Sequence, residues 1–343
     1  LKTTGMVQRQ SLKQSMLPRT LHFIGVSNHR AIPVSVSNVS YPISEAKNRG
    51  TARALVAAVR PRQWVKNGLV VVAPLAAGAD HYHAIRQTIV AFVCFCLAAS
   101  SVYLFNDFRD IESDRHHPTK RFRPIAAGEL SPQVALSSAV VLAAASVALA
   151  LLVPQTGGLF AVLLVYLAIS VSYALGVKSI PIIELAAVAS GFFLRAYAGA
   201  VASNLFVSTW FLVVISFGAL FLVLGKRTAE KKTPGLDPTI YRYVLTQYTP
   251  EFLRSALVMT SSVVVTGYCL WAFDTTTTGL SFHHHYITPI RLTVVPVVLV
   301  ILHILRLLES GEGASPEDLV LTDRTVQCLG LVWAALFIIG VYA

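Results

Sequence analysis

The chain has 343 residues, 55% of them hydrophobic and 13% charged, with a mean hydropathy of +0.63. That balance excludes an ordinary soluble domain, and the apolar residues gather in blocks of roughly 20, the length that crosses a bilayer as a helix. The formal charge of +11 then points to membrane-side loops and anionic small molecules, not to nucleic acid.

Residues 1–50 are rich in Ser, Thr, Asn and basic side chains and lack an apolar run long enough for a signal peptide. They read as a disordered cytoplasmic arm, separate from a transmembrane domain over residues 51–343. Thr51–Val59 is amphipathic and suits the membrane interface. In Arg60–Pro61–Arg62–Gln63–Trp64–Val65–Lys66–Asn67, the proline suits a first helical turn and the tryptophan an interface. Arg60 and Arg62 read as positive-side anchors, whereas Lys66 and Asn67, a turn deeper, are candidates for a polar pocket.

Nine spans are expected, at about 62–79, 84–107, 132–153, 158–177, 181–201, 208–226, 250–273, 287–308 and 320–342. Lys and Arg concentrate in the arm, in 108–131, at Lys178 and in 227–249, which places the N-terminus and these loops in the cytoplasm. The second span ends in Asn106–Asp107–Phe108–Arg109–Asp110–Ile111–Glu112–Ser113–Asp114. On a continuous helix Asp107, Asp110 and Asp114 stand at i, i+3 and i+7 and share a face. Acids at the mouth of a membrane helix are costly and mark a functional site by default. Clustered carboxylates repel unless a cation holds them, and hard oxygen ligands suit Mg²⁺, which also takes substrate phosphates. These three acids are therefore the candidate metal and catalytic residues, with Asn106 beside them as a substrate ligand. Lys120, Arg121 and Arg123 follow at once as donors for phosphate oxygens.

Further along, Tyr173 and Lys178 close the fourth span and are substrate-binding candidates, and Glu184 begins the fifth. Arg195 stands near the end of an otherwise apolar helix, toward the outer side, where snorkelling or a structural pair would account for it. Lys226 and Arg227 adjoin the end of the sixth span and read as substrate cations, whereas Lys231 and Lys232 read as a solvated loop. The run His283–His284–His285 is assigned no site, because adjacent histidines on one loop rarely converge on a metal. Ser315–Pro316–Glu317–Asp318 reads as a helix start. The four cysteines, Cys94, Cys96, Cys269 and Cys328, lie inside apolar blocks, so neither a disulfide nor zinc is indicated.

The pattern N-D-x-x-D-x-x-x-D after a second membrane helix resembles the UbiA superfamily of intramembrane prenyltransferases, and the likeness covers residues 52–343. Within that superfamily the strings RPRQWVKN (60–67), NDFRDIESDRHHPTKRFRPIAAG (106–128), GKRTAE (225–230) and PEDLVLTDR (316–324) are similar to its phosphoribosyl-transferring members. The resemblance implies an all-α bundle of nine membrane helices around a central cavity with a lateral opening to lipid. It also implies Mg²⁺ dependence and a homo-oligomer, a trimer. The implied reaction is transfer of ribose 5-phosphate from phosphoribosyl pyrophosphate to a polyprenyl (decaprenyl) phosphate, a step toward cell-wall arabinan in the bacterial plasma membrane. Lys66, Lys178, Lys226 and Arg227 would then hold either the donor or the lipid phosphate. Aromatic prenyltransferases of the superfamily carry a second D-x-x-x-D after the sixth helix, where this chain has Gly225–Lys226–Arg227–Thr228–Ala229–Glu230. That departure argues against aromatic prenyl transfer, the alternative enzyme reading. A channel with an acidic ring, a third reading, gives no reason for a phosphate-binding string.

Overall fold

The structure is a computed structural model and describes residues 50–79, 81–117, 119–151, 153, 157–232, 243–274, 289–310, 319–320 and 322–342. Residues 1–49 of the expected arm, the His283–His285 run and the helix start expected at Ser315–Asp318 lie outside the described residues.

All regular structure among the described residues is helical. Helix α1 (Thr51–Val59) leads through a 3-10 turn (Pro61–Gly68) into α2 (Leu69–Ala76). Then come α3 (Tyr82–Arg109), a short α4 (Ile111–His116), α5 (Pro132–Leu151), α6 (Gly157–Leu175), α7 (Ile183–Ala202) and α8 (Thr209–Lys232). The chain continues through α9 (Pro250–Phe273), α10 (Pro289–Leu292), α11 (Val294–Ser310) and α12 (Arg324–Tyr342). Helices α10 and α11 form one span interrupted at Thr293, ahead of Pro296, whose missing N–H cannot bond back a turn.

Eight helices among the described residues are long and apolar enough to cross a membrane. The first expected span is instead a 3-10 turn followed by the eight residues of α2, so its polar half, Pro61–Gly68, winds more tightly than an α-helix. The sixth span runs to Lys232, six residues past its expected end. Arg227, Ala229, Glu230, Lys231 and Lys232 form helices well, and Arg227 and Glu230 pair across one turn at 3.0 Å. The helix therefore outlasts its apolar stretch. Lys231 and Lys232, expected in a solvated loop, donate to backbone carbonyls instead. Lys231 reaches those of Leu245 and Tyr248, and Lys232 reaches those of Leu308 and Glu309.

Helix α7 is the shared wall of two cores. Its Leu185 and Ala189 pack with Phe221, Leu224, Leu253, Leu257 and Ile304 from α8, α9 and α11. Its Leu194, Ala198 and Ala202 pack with Val70, Phe95, Ala98, Leu159 and Leu163 from α2, α3 and α6. Small residues permit this close approach, as in membrane helix pairs generally. The tightest point is Gly199, where a Cβ would stand 1.7 Å from the carbonyl oxygen of Val70. The C-terminus of α3, the segment after α6, the N-terminus of α7 and the C-terminus of α8 meet at one end of the bundle, and the charged residues gather there.

Candidate active site

Helix α3 has 28 residues, about 42 Å at 1.5 Å per residue, longer than the hydrocarbon core of a bilayer. It carries Asp107 to its last turn and stops at Arg109, and Asp110 leaves helical geometry before α4 resumes. The three acids consequently do not share one helical face. Asp107 and Asp114 are brought together on a single nitrogen: Arg123 Nη1 donates to Asp107 Oδ1 at 3.0 Å and to Asp114 Oδ2 at 2.6 Å. Asp110 turns toward the segment after α6 and accepts from Lys178 Nζ at 2.6 Å. Asp107 and Asp114 are buried, at 3% exposure each, whereas the Asp110 side chain is 32% exposed.

Arg60 completes the cluster, although its sequence context suggested only an anchor. Its Nη2 donates to both oxygens of Asp107 at 2.6 Å, and its guanidinium lies over the Tyr103 ring at 5.1 Å. Its backbone is left-handed, φ 56° and ψ 62°, a strained conformation for a residue with a side chain. The following proline disfavours the right-handed helical region at this position. The resulting turn between α1 and Pro61–Gly68 lets the guanidinium reach the mouth of α3. The signal in the sequence is that Arg-Pro junction; the partner lies 47 residues away and leaves no local trace.

Lys66, Tyr173, Lys226 and Arg227 line one small cavity of about 180 Å³, walled by Val188 and Phe192 of α7 and Leu222 of α8. Arg227 is not available to a substrate as a lone cation. It is 2% exposed, and its Nε and Nη2 grip Glu184 at 2.8 and 2.7 Å while Nη1 meets Glu230 at 3.0 Å. Asn67 is likewise engaged inside the bundle: it is 1% exposed, accepts from Arg195 Nε at 2.7 Å and donates to Cys96 Sγ at 3.3 Å. Arg195 is thereby the buried structural partner of Asn67, and it also donates to the Tyr166 hydroxyl at 2.9 Å and the Gly191 carbonyl at 2.6 Å.

The basic run after α4 divides. Arg123 enters the acid cluster, Lys120 is half-buried in a 3-10 turn (Lys120–Phe122), and Arg121 is exposed with its guanidinium over the Phe122 ring at 4.8 Å. His117 Nδ1 accepts from the backbone N–H groups of Thr119 and Lys120. Burial, and then the Lys120 charge, lower its pKa below the ordinary histidine value and favour the neutral ring. Asn106, half-buried, contributes its backbone carbonyl to the Asp110 N–H at 2.9 Å.

Among the described residues no three His, Cys, Asp or Glu side chains form a closed metal cage. The donor set still fits Mg²⁺, which is held by one or two carboxylates with water and substrate phosphates completing its shell. Asp107, Asp110 and Asp114 offer only hard carboxylate oxygens and no thiolate or imidazole.

The UbiA prenyltransferase family model matches residues 68–321. The chain belongs to the UbiA family. Decaprenyl-phosphate phosphoribosyltransferase from Corynebacterium glutamicum is 43% identical to this UbiA-family chain over 298 residues, 86% of the chain and 88% of the relative. The Mycobacterium tuberculosis protein of the same name is 41% identical over 286 residues, 82% and 92% of the two chains. Among solved structures, the fold matches a UbiA homolog from Archaeoglobus fulgidus bound to DMAPP and Mg²⁺. That match has a TM-score of 0.64 and 17% identity, and covers 84% of this chain and 97% of that one. The same homolog bound to GPP and Mg²⁺ gives a TM-score of 0.63. These likenesses establish the all-α UbiA bundle as the fold of this chain.

Proposed function

We propose that this UbiA-family enzyme transfers the 5-phosphoribosyl group of phosphoribosyl pyrophosphate to decaprenyl phosphate, releasing pyrophosphate. One observation carries the reading: relatives named for that reaction are 41–43% identical over more than four-fifths of both chains. The site agrees with it. Where an aromatic prenyltransferase would present a second set of metal-binding acids, this chain presents Lys226 in a cavity with Lys66, and the neighbouring Arg227 is locked to Glu184.

Asp107, Asp110 and Asp114 would hold Mg²⁺, which supplies charge stabilisation to the leaving pyrophosphate. Arg123 and Lys178, already beside those acids, orient the donor's phosphates by charge-assisted hydrogen bonds. Lys66 and Lys226 bind the anionic group seated in the 180 Å³ cavity. The bond from ribose C1 to the pyrophosphate oxygen breaks as a phosphate oxygen of the lipid attacks the opposite face of C1. A phosphate monoester with a second pKa of about 6 is mostly deprotonated at neutral pH, so no protein base is required. The isoprenoid tail lies against α7, α8 and α9, where an apolar groove of about 500 Å³ is lined by Leu185, Phe193, Phe217, Leu220 and Met259. Its burial supplies affinity, not rate.

Lys and Arg placement orients the acid end toward the cytoplasm of a multi-pass plasma-membrane protein. We propose a homotrimer, on the family resemblance of the sequence alone. A transfer assay in membranes tests the reaction: radiolabelled phosphoribosyl pyrophosphate with decaprenyl phosphate should give a labelled lipid. Labelling only from a prenyl diphosphate onto an aromatic acid would overturn the assignment.

A further inference from the structure

We infer that Arg60 is a ligand-exchange residue: it holds Asp107 until metal and pyrophosphate arrive together, then yields the carboxylate to the metal and takes a phosphate. This rests on the proposed Mg²⁺–pyrophosphate site.

The first argument is capacity. A carboxylate offers about four lone-pair sites. Arg60 Nη2 takes one on each oxygen of Asp107, and Arg123 takes a further one on Oδ1. While all three bonds stand, Asp107 has a single lone pair left, on Oδ2, to offer a metal, and Arg60 makes two of the three bonds.

The second argument is charge. Asp107, Asp110 and Asp114 are matched by Arg60, Arg123 and Lys178, which makes a cluster with no net charge. A divalent cation alone would leave an excess of positive charge in a partly buried site, and pyrophosphate alone an excess of negative. Together they offset one another in part, with the metal on the acids and the phosphates on the displaced cations.

The third argument is where Arg60 can go. It borders an open cavity of about 700 Å³ that Arg53, Arg62 and Gln63 also line. Arg53 and Arg62 are exposed. A phosphate there would meet three guanidinium groups. In its bond to Asp107 the Arg60 guanidinium lies over the Tyr103 ring, 5.1 Å from its centroid. The left-handed backbone of Arg60 places it at the junction between α1 and the turn Pro61–Gly68.

The consequence is coupling. Metal and pyrophosphate each tighten the other's binding by one common factor, because linkage is reciprocal. Breaking charge-assisted hydrogen bonds to release Asp107 sets that factor at roughly tenfold or more. The experiment uses the full chain in phosphatidylcholine nanodiscs and calorimetric titration with Mn²⁺ alone, inorganic pyrophosphate alone and the preformed 1:1 complex. Wild type should bind the complex at least tenfold more tightly than either component. Arg60→Gln frees Asp107, so Mn²⁺ alone should bind roughly tenfold more tightly while the complex loses most of its advantage. Arg60→Lys should lie between, and Arg123→Gln, a second route to the same release, should also tighten Mn²⁺ alone. Asp107→Asn should abolish Mn²⁺ binding in every background. Unchanged or weaker Mn²⁺ binding by monodisperse Arg60→Gln and Arg123→Gln proteins would overturn the exchange and leave the metal site standing. Failure of wild type to bind the Mn²⁺–pyrophosphate complex would remove the site and the exchange together.

Discussion

Glu184 on α7 and Arg227 on α8 close a two-point ion pair, 2.7 and 2.8 Å, with neither side chain more than 3% exposed. The Tyr248 hydroxyl stands 3.4 Å from Glu184 and accepts from the Ile182 N–H at 2.9 Å, so the pair also ties the segment before α9 to the start of α7. Breaking a buried pair by removing one partner costs about 3–5 kcal/mol, because the other charge is left without compensation. Glu184→Gln and Arg227→Gln should each lower the thermal midpoint of the purified protein markedly, and the double variant should lose less than the two combined. Thermal unfolding in detergent measures this. An unchanged midpoint with a raised donor KM for Arg227→Gln would return the residue to the substrate.

Lys66 and Lys226 should behave in the opposite way. Both line the 180 Å³ cavity beside Tyr173. Replacing each by Gln removes charge while keeping most of the length. The KM for phosphoribosyl pyrophosphate or for the lipid phosphate should rise roughly tenfold or more, the worth of a charge-assisted hydrogen bond, with little change in the midpoint. Which KM moves identifies the phosphate each lysine holds.

Asp110→Asn separates chemistry from folding more cleanly than substitution of Asp107. Asp110 is partly exposed and bonded to one lysine, whereas Asp107 is buried under Arg60 and Arg123. Asp110→Asn should reduce transfer at least a hundredfold in the radiolabel assay with unaltered monodispersity, as expected for loss of a carboxylate that holds the metal. Near-normal turnover in Mg²⁺ would remove Asp110 from the metal set.

Gly199→Ala should disrupt the bundle far from the charged end. The added Cβ would stand 1.7 Å from the Val70 carbonyl oxygen and 3.2 Å from Pro74 Cδ, so α2 must move away from α7. Overpacking of this kind costs about 1–3 kcal/mol and sometimes more. A lowered midpoint is expected, and Gly68→Ala, where nothing lies within 4 Å of the added carbon, is the matched control.

Deletion of residues 1–47 should leave membrane insertion and transfer intact, since their composition cannot bury a core. The deletion must stop short of α1, whose Ala54 and Ala58 are fully buried against Leu104, Ile125 and Leu130. Loss of transfer by a truncated protein that inserts normally would show that the arm contributes to the site.

The sequence by itself determined the helical class, the position of nearly every span and the acid-rich mouth of α3. Each of these depends on a property local to the chain. An apolar block of about 20 residues must satisfy its own backbone in lipid and therefore forms a helix wherever it sits. A carboxylate at the end of such a block must meet a cation. Which cation it meets is another matter, because the partners are far apart in the chain: 47 residues from Arg60 to Asp107, 68 from Asp110 to Lys178, 43 from Glu184 to Arg227 and 128 from Asn67 to Arg195. Only the packing of α2, α3, α7 and α8 decided those pairs. It drew an apparent anchor, Arg60, onto Asp107 and tied Arg227 to Glu184 and Asn67 to Arg195. Charge and spacing are written in one dimension, but a buried charge is compensated by whatever the fold places within about 3 Å of it.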